Sequence, residues 1–161
     1  MKKRPSARVV LMNEESRVLL FNMMDQLNPG QGSIWFTVGG GLEEEETYEE
    51  AAKRELWEET GLENVKWGPL IWIRQFEHIY QGEPTLFVEH YFLAFIRGAE
   101  QRKVNLDYLT LVEKETYLGH HWWSLEELEE SEEKIYPREM KRLLEPIVNG
   151  SLPREPIAIA K

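Results

Sequence analysis

The chain has 161 residues, 42% of them hydrophobic and 30% charged, a balance that supports one folded domain with a real core and excludes a disordered tail protein. It contains no cysteine, which removes disulfides, thiolate zinc sites and cysteine nucleophiles. The formal charge of −10 is concentrated, with residues 43–64 carrying −8, residues 126–133 carrying −6 and the remainder +4, so no Lys/Arg stripe exists to bind duplex nucleic acid.

Arg8 to Met12 and Arg17 to Phe21 are short β-rich runs around Asn13-Glu14-Glu15-Ser16, which predicts an opening hairpin. Met23 to Ser33 reads as a loop, and Ile34 to Val38 as a strand running into Gly39, Gly40 and Gly41. Thr47-Tyr48-Glu49-Glu50 is a capping box and Gly61 a stop signal. A helix is therefore predicted over Thr47 to Thr60, with Ala51, Ala52, Leu56 and Tyr48 as its core stripe.

Val65 to Tyr80 and Thr85 to Ile96 are aromatic and β-branched, with Gln81 to Pro84 as the turn between two long strands. Arg97 to Val112 reads as an irregular connection. His120 to Leu125 predicts a last strand, with Ser124 capping a helix over Leu125 to Glu130. Tyr136 to Val148 carries Met140, Leu143, Leu144 and Ile147 at helical spacing and is closed by Asn149-Gly150. The domain is placed at 1–150, with an extended tail over 151–161. Strands interrupted by helices, with a mixed sheet, predict an α/β layered architecture. No 18-residue apolar run and no signal-peptide pattern occur, which predicts a cytoplasmic protein without membrane association.

Chemistry concentrates in GGLEEEETYEEAAKRELWEETGL, Gly40 to Leu62 of this sequence with its helix inside. Glu55, Glu58 and Glu59 stand at i, i+3 and i+4, where like charges destabilise a helix by a few tenths of a kcal/mol per pair. A hard divalent cation such as Mg²⁺ reverses that sign, because it takes carboxylates, waters and substrate phosphate as ligands. The glycines let the backbone pass close to a ligand, and Arg54 can orient a neighbouring carboxylate.

This segment resembles the Nudix box, whose pattern is G, five residues, E, seven residues, R-E-aliphatic-x-E-E-x-G-aliphatic. Gly40, Glu46, Arg54, Glu55, Leu56, Glu58, Glu59, Gly61 and Leu62 agree at all nine fixed positions. Val38 stands where members often have proline, and Glu45 where glycine is common. The resemblance implies a Nudix-type α/β/α sandwich with a mixed β-sheet and Mg²⁺- or Mn²⁺-dependent hydrolysis of the diphosphate linkage in a nucleoside diphosphate derivative. It further implies metal ligation by Glu55, Glu58, Glu59 and the carbonyl of Gly39, supported from behind by Arg54 and Glu46. In this scheme a metal-activated water attacks phosphorus. A carboxylate must take its proton, with Glu58 and Glu59 as candidates and, outside the box, Glu113 and Glu115 in the loop before the last strand, of which Glu115 is favoured. Trp35 or Phe36 could stack a nucleobase, and the spacing of Tyr80 is similar to an aromatic marker of diadenosine polyphosphate hydrolases. The expected partner is a small nucleotide, with a homodimer left open. The competing reading is a noncatalytic nucleotide- or metabolite-binding module of the same fold.

Overall fold

The computed structural model describes residues 1–99 and 104–160. Among the described residues, eight strands and four α-helices follow in the order β1 (Lys2–Met12), β2 (Val18–Met24), β3 (Ser33–Gly41), α1 (Tyr48–Thr60), β4 (Lys66–Tyr80) and β5 (Glu83–Phe95), and then α2 (Leu111–Thr116), β6 (Tyr117–Trp123), α3 (Leu125–Glu130), β7 (Ile135–Tyr136), α4 (Met140–Val148) and β8 (Ile157–Ile159). They form one mixed sheet of order β6-β2-β3-β1-β5-β4-β8, with β7 beside β3. The class is the α/β/α sandwich with a mixed sheet.

The opening turn forms where the sequence places it, with Asn13 Oδ1 accepting from the amides of Glu15 and Arg17 at 3.0 Å each. Its two strands then part. β1 and β2 share the single register pair Met12–Val18, because β3 comes between them. β3 pairs antiparallel with β2 over residues 33–37 and antiparallel with β1 over residues 38–41. A strand can be antiparallel to both arms of a hairpin only if the arms diverge and it bends between them. The bend falls where Val38 gives way to the glycines. Gly39 has φ 149, and a Cβ there would lie 2.1 Å from the Ala7 carbonyl oxygen, so only glycine fits this close approach.

α1 begins with the capping box read from sequence: Thr47 Oγ1 accepts from the Glu50 amide at 3.1 Å, and Glu50 Oε1 accepts from the Thr47 amide at 3.2 Å. It ends at Gly61, which is left-handed with φ 67. Ala51, Ala52 and Leu56 pack with Ala7, Val9, Leu11 and Val38 on one sheet face. Tyr48 stacks on His90 at 3.6 Å between ring centroids and is half-buried. On the opposite face, Val10, Leu20, Ile71, Trp72 and Leu93 meet Leu128 of α3 and Met140, Leu143, Leu144 and Ile147 of α4.

Three elements depart from the sequence expectation. The stretch 97–112 is irregular in its described part but ends in α2, capped by a second box in which Thr110 Oγ1 accepts from Glu113 N at 3.1 Å and Glu113 Oε1 from Thr110 N at 2.8 Å. Residues 100–103 of that connection lie outside the described residues. The last helix starts at Met140, not Tyr136, because Ile135 and Tyr136 extend as β7 beside Trp35 and Phe36 and Pro137, whose ring supplies no N–H, follows them. Within the expected tail, Ile157–Ile159 is extended as foreseen, but it pairs in parallel with Trp72–Arg74 of β4 and so widens the sheet by a strand.

Leu144 is fully buried between α4 and the sheet. Leu144→Ala is expected to cost about 2–5 kcal/mol, read as a lowered urea midpoint with an unchanged slope.

Candidate active site

The acidic face of α1 is divided. Glu55 and Glu59 are buried and turn toward the glycine end of β3, while Glu58 turns to Arg54 and stays 39% exposed. Glu59 Oε2 accepts from the Gly39 amide at 3.2 Å. Glu55 lies so close to Gly40 that a Cβ on that glycine would be 2.5 Å from Glu55 Oε1. The two glycines thus admit the two carboxylates.

A third carboxylate comes from α2. One oxygen each from Glu55, Glu59 and Glu113 lies within 4.8 Å of the others. Glu58, expected as the third ligand, is not one of these three, and Glu115, favoured over Glu113 as the proton acceptor outside the box, is exposed and is not either. The cause is the α2 capping box, which fixes Glu113 at the third helical position while Glu115 projects elsewhere on the same turn. The pattern Thr110-x-x-Glu113 is the same signal that marks α1, so the helix and its inward glutamate were readable from sequence.

The charges of this cluster are unfavourable without a cation. Burial pushes Glu59 well above the usual carboxylate range, Glu55 adds to the rise, and Arg8 opposes it. Burial likewise raises Glu55, against the lowering effect of Arg54. An all-oxygen, partly buried set with this excess of negative charge suits a hard divalent ion, which takes carboxylate and carbonyl oxygens.

Two arginines brace the site. Arg54 donates to both oxygens of Glu46 at 2.7 and 2.9 Å, to Glu55 and Glu58 at 2.9 Å each, and to the Gly41 carbonyl at 3.0 Å. This is the support from behind that the sequence pattern implies. Arg8 donates to the carbonyls of Gly39 and Thr37 at 3.1 and 3.3 Å and to Glu89 at 3.3 Å. Its bond to Gly39 leaves that carbonyl one lone pair for a further partner. Sequence reading did not single out Arg8, and no local pattern marks it, since its partners lie 29, 31 and 81 residues away. Burial alone would raise Glu89, but Arg8 and Arg74 together hold it below the ordinary range.

Glu45 explains why glycine is common at its position: its φ of 63 is left-handed, a conformation that costs an ordinary residue about 1–2 kcal/mol. The aromatic candidates separate. Trp35 meets Trp123 edge-on at 5.1 Å on the α3/α4 side. Phe36 lies on the α1 side with the Arg8 guanidinium 5.0 Å from its ring centroid. Tyr80 stands at the end of β4 beneath Arg4, whose guanidinium is 4.5 Å from the ring centroid.

A family model for the NUDIX domain matches residues 2–144. The chain belongs to the Nudix family. Over 59 residues, 37% of this chain, it is 41% identical to an RNA pyrophosphohydrolase from Cereibacter sphaeroides, and it covers 34% of that protein. It thus spans about a third of the length of the curated relatives it matches. Its fold is similar to the MutT protein of Methanosarcina mazei Go1 (TM-score 0.63, 20% identity, 92% of this chain and 95% of that one). It is also similar to a C. elegans Ap4A hydrolase solved as a binary complex (TM-score 0.60, 19% identity, 91% and 96%).

The Arg54 hydrogen bonds hold Glu46 down to about 2. A carboxylate depressed in the folded state stabilises the fold above its unfolded value and loses that contribution as pH falls through its folded one. Glu46→Gln should therefore lower the urea midpoint most at pH 7, and the deficit should shrink as pH falls from about 5 toward about 2.

Proposed function

We propose that this chain is a Nudix hydrolase that acts on phosphoric anhydride bonds and, with Mg²⁺ or Mn²⁺, splits the diphosphate linkage of a nucleoside diphosphate derivative. The observation that carries this reading is the meeting of Glu55, Glu59 and Glu113 within 4.8 Å beside the Gly39–Gly40 backbone. Three carboxylates collected there, two of them buried, are costly for the fold alone and useful to a cation-dependent reaction. The likeness of one segment to RNA pyrophosphohydrolases supports the reaction class.

Glu55, Glu59 and Glu113 would hold the ion, with the Gly39 carbonyl, on the residue whose amide binds Glu59, as a further candidate ligand. When bound, a divalent ion lowers the pKa of a water and neutralises charge on the anhydride. The chain's own residues then have distinct tasks. Arg54 fixes the Glu55 carboxylate through Nη1 and the β3 end through Nη2. Glu58, occupied by Arg54, belongs with that brace in the arrangement seen here. Arg8 and Glu59 hold Gly39 by its carbonyl and its amide. Glu113 approaches from outside α1 and is assigned the proton of the attacking water, a role in which the sequence offered it behind Glu115. The water oxygen bonds to phosphorus, the bridging P–O bond breaks, and a nucleoside monophosphate leaves.

A nucleotide panel assayed with Mg²⁺ or Mn²⁺ tests this, with release of a nucleoside monophosphate as the readout. Glu59→Gln and Glu113→Gln are each expected to lower kcat by about 100-fold or more, while Glu115→Gln leaves it unchanged. Absence of turnover on every substrate with either ion would sink the catalytic reading, and equal losses from Glu113→Gln and Glu115→Gln would remove Glu113 from its assigned role.

A further inference from the structure

The sheet face opposite α1 carries a row of cations and rings outside the carboxylate cluster. On β1, Arg4 and Arg8 point to the same face, about 13 Å apart along the strand at 3.3 Å per residue. Arg8 is held through Nε by Glu89 and through Nη1 by the Thr37 and Gly39 carbonyls. Arg74 on β4 is paired with the same Glu89. Arg4 differs: among the described residues its guanidinium has no hydrogen bond and no carboxylate partner, and the Tyr80 hydroxyl below it likewise makes no hydrogen bond. It rests on the ring of Tyr80, 4.5 Å from the centroid. In a chain with 29 acidic residues against 19 basic ones, a half-buried arginine left without an acid is unexpected on charge grounds alone.

Its position is informative. Arg4 Nη2 lies 3.8 Å from where a Cβ on Gly41 would stand, so the guanidinium flanks the bare backbone of the glycine segment whose other end receives Glu59. Gly41 is about 7 Å from Gly39 along the strand, the reach of a short polyphosphate. Tyr80 meets Phe87 edge-on at 5.7 Å, and Phe87 stacks on Phe76 at 4.8 Å. That aromatic run fixes the ring on which the Arg4 guanidinium rests, and so holds the cation ready at low entropic cost.

We propose that Arg4, seated on Tyr80, is a specificity-determining residue that grips a phosphate beyond the scissile diphosphate, so that the preferred substrate carries a chain of three or more phosphates. This rests on the proposed function only for where the scissile diphosphate lies. A fully charged guanidinium forms bidentate bonds to phosphate oxygens; all five donors of Arg54 are taken, and Arg8 is held by Glu89 and two carbonyls through Nε and Nη1, whereas the whole fork of Arg4 is open. A substrate with two phosphates would end short of Arg4.

Calorimetric titration with inorganic pyrophosphate and inorganic tripolyphosphate, each in excess Mg²⁺, tests the grip without requiring turnover. The native chain should bind tripolyphosphate about tenfold tighter than pyrophosphate. Arg4→Gln should erase that difference and leave pyrophosphate binding as it was, and Arg4→Lys should restore part of it, since the ammonium keeps the charge but not the fork. Equal affinity for the two probes in the native chain, or equal weakening of both by Arg4→Gln, would overturn the proposal. The same variants assayed on substrates of two and of four phosphates should show a KM increase confined to the longer one at constant kcat. Should no substrate turn over while the tripolyphosphate preference still depends on Arg4, the hydrolase reading fails and the grip stands.

Discussion

The structure is organised around an electrostatic debt: two carboxylates, Glu55 and Glu59, are buried one helical turn apart, with a third from Glu113 brought against them. Charged groups leave water only when they are paired or coordinated. Arg54 answers Glu55 directly through a hydrogen bond, whereas Arg8 acts on Glu59 through space and through the Gly39 residue that both of them hold. Neither arginine hydrogen-bonds to Glu59 or Glu113 among the described residues. Direct pairing therefore reaches one of the three carboxylates only, and the other two keep their negative charge without a hydrogen-bonded cation among the described residues.

Gly39 is where backbone geometry and charge meet. Its amide receives Glu59 from α1 and its carbonyl receives Arg8 from β1, while the absence of a Cβ lets β1 approach. The bend of β3 between the diverging arms of β1 and β2 places this residue at the junction of two strand pairings. A displacement of the strand would therefore move an acid, a base and a carbonyl together. Arg8 extends the coupling across the sheet, since it shares Glu89 with Arg74, and Tyr91 donates to the same carboxylate. Removing one member of such a buried network leaves an uncompensated charge, which costs more than the net worth of the pair.

What could be read from the sequence followed the range of the interactions. α1 was legible end to end because its cap, its stop and its apolar stripe are settled by neighbours three and four residues apart. The same logic covered α3 at Ser124. α2 carried an equally local signal, Thr110 with Glu113, obscured by the irregular stretch before it, and without that helix the sequence had no means to rank Glu113 above Glu115 as the residue that joins the cluster. The long strands were visible from composition, but which strand neighbours which was not. The insertion of β3 between the hairpin arms depends on contacts some 30 residues apart, and the pairing of β8 with β4 on contacts about 85 apart. The spacing Glu55, Glu58, Glu59 gave the acidic face without saying that Arg54 would draw Glu58 aside.

The two sheet faces now have separable duties. The α1 face is a packed apolar layer whose polar interruptions are the carboxylates at its margin. The opposite face is apolar only beneath α3 and α4. Away from those helices it turns to arginine and aromatic side chains: Arg4 on Tyr80, Arg8 beside Glu89, and Arg74 4.3 Å from the Phe76 ring centroid and 5.4 Å from that of Tyr136. Guanidinium over ring is stable in partial burial because Arg is weakly hydrated and its flat face suits the π surface. A sheet face meant only to be covered would carry aliphatic residues there. Here Arg8 and Arg74 share the single carboxylate of Glu89 inside the layer, so one positive charge is left uncancelled there, and Arg4 at the edge adds a second beside the glycine segment that borders the carboxylates.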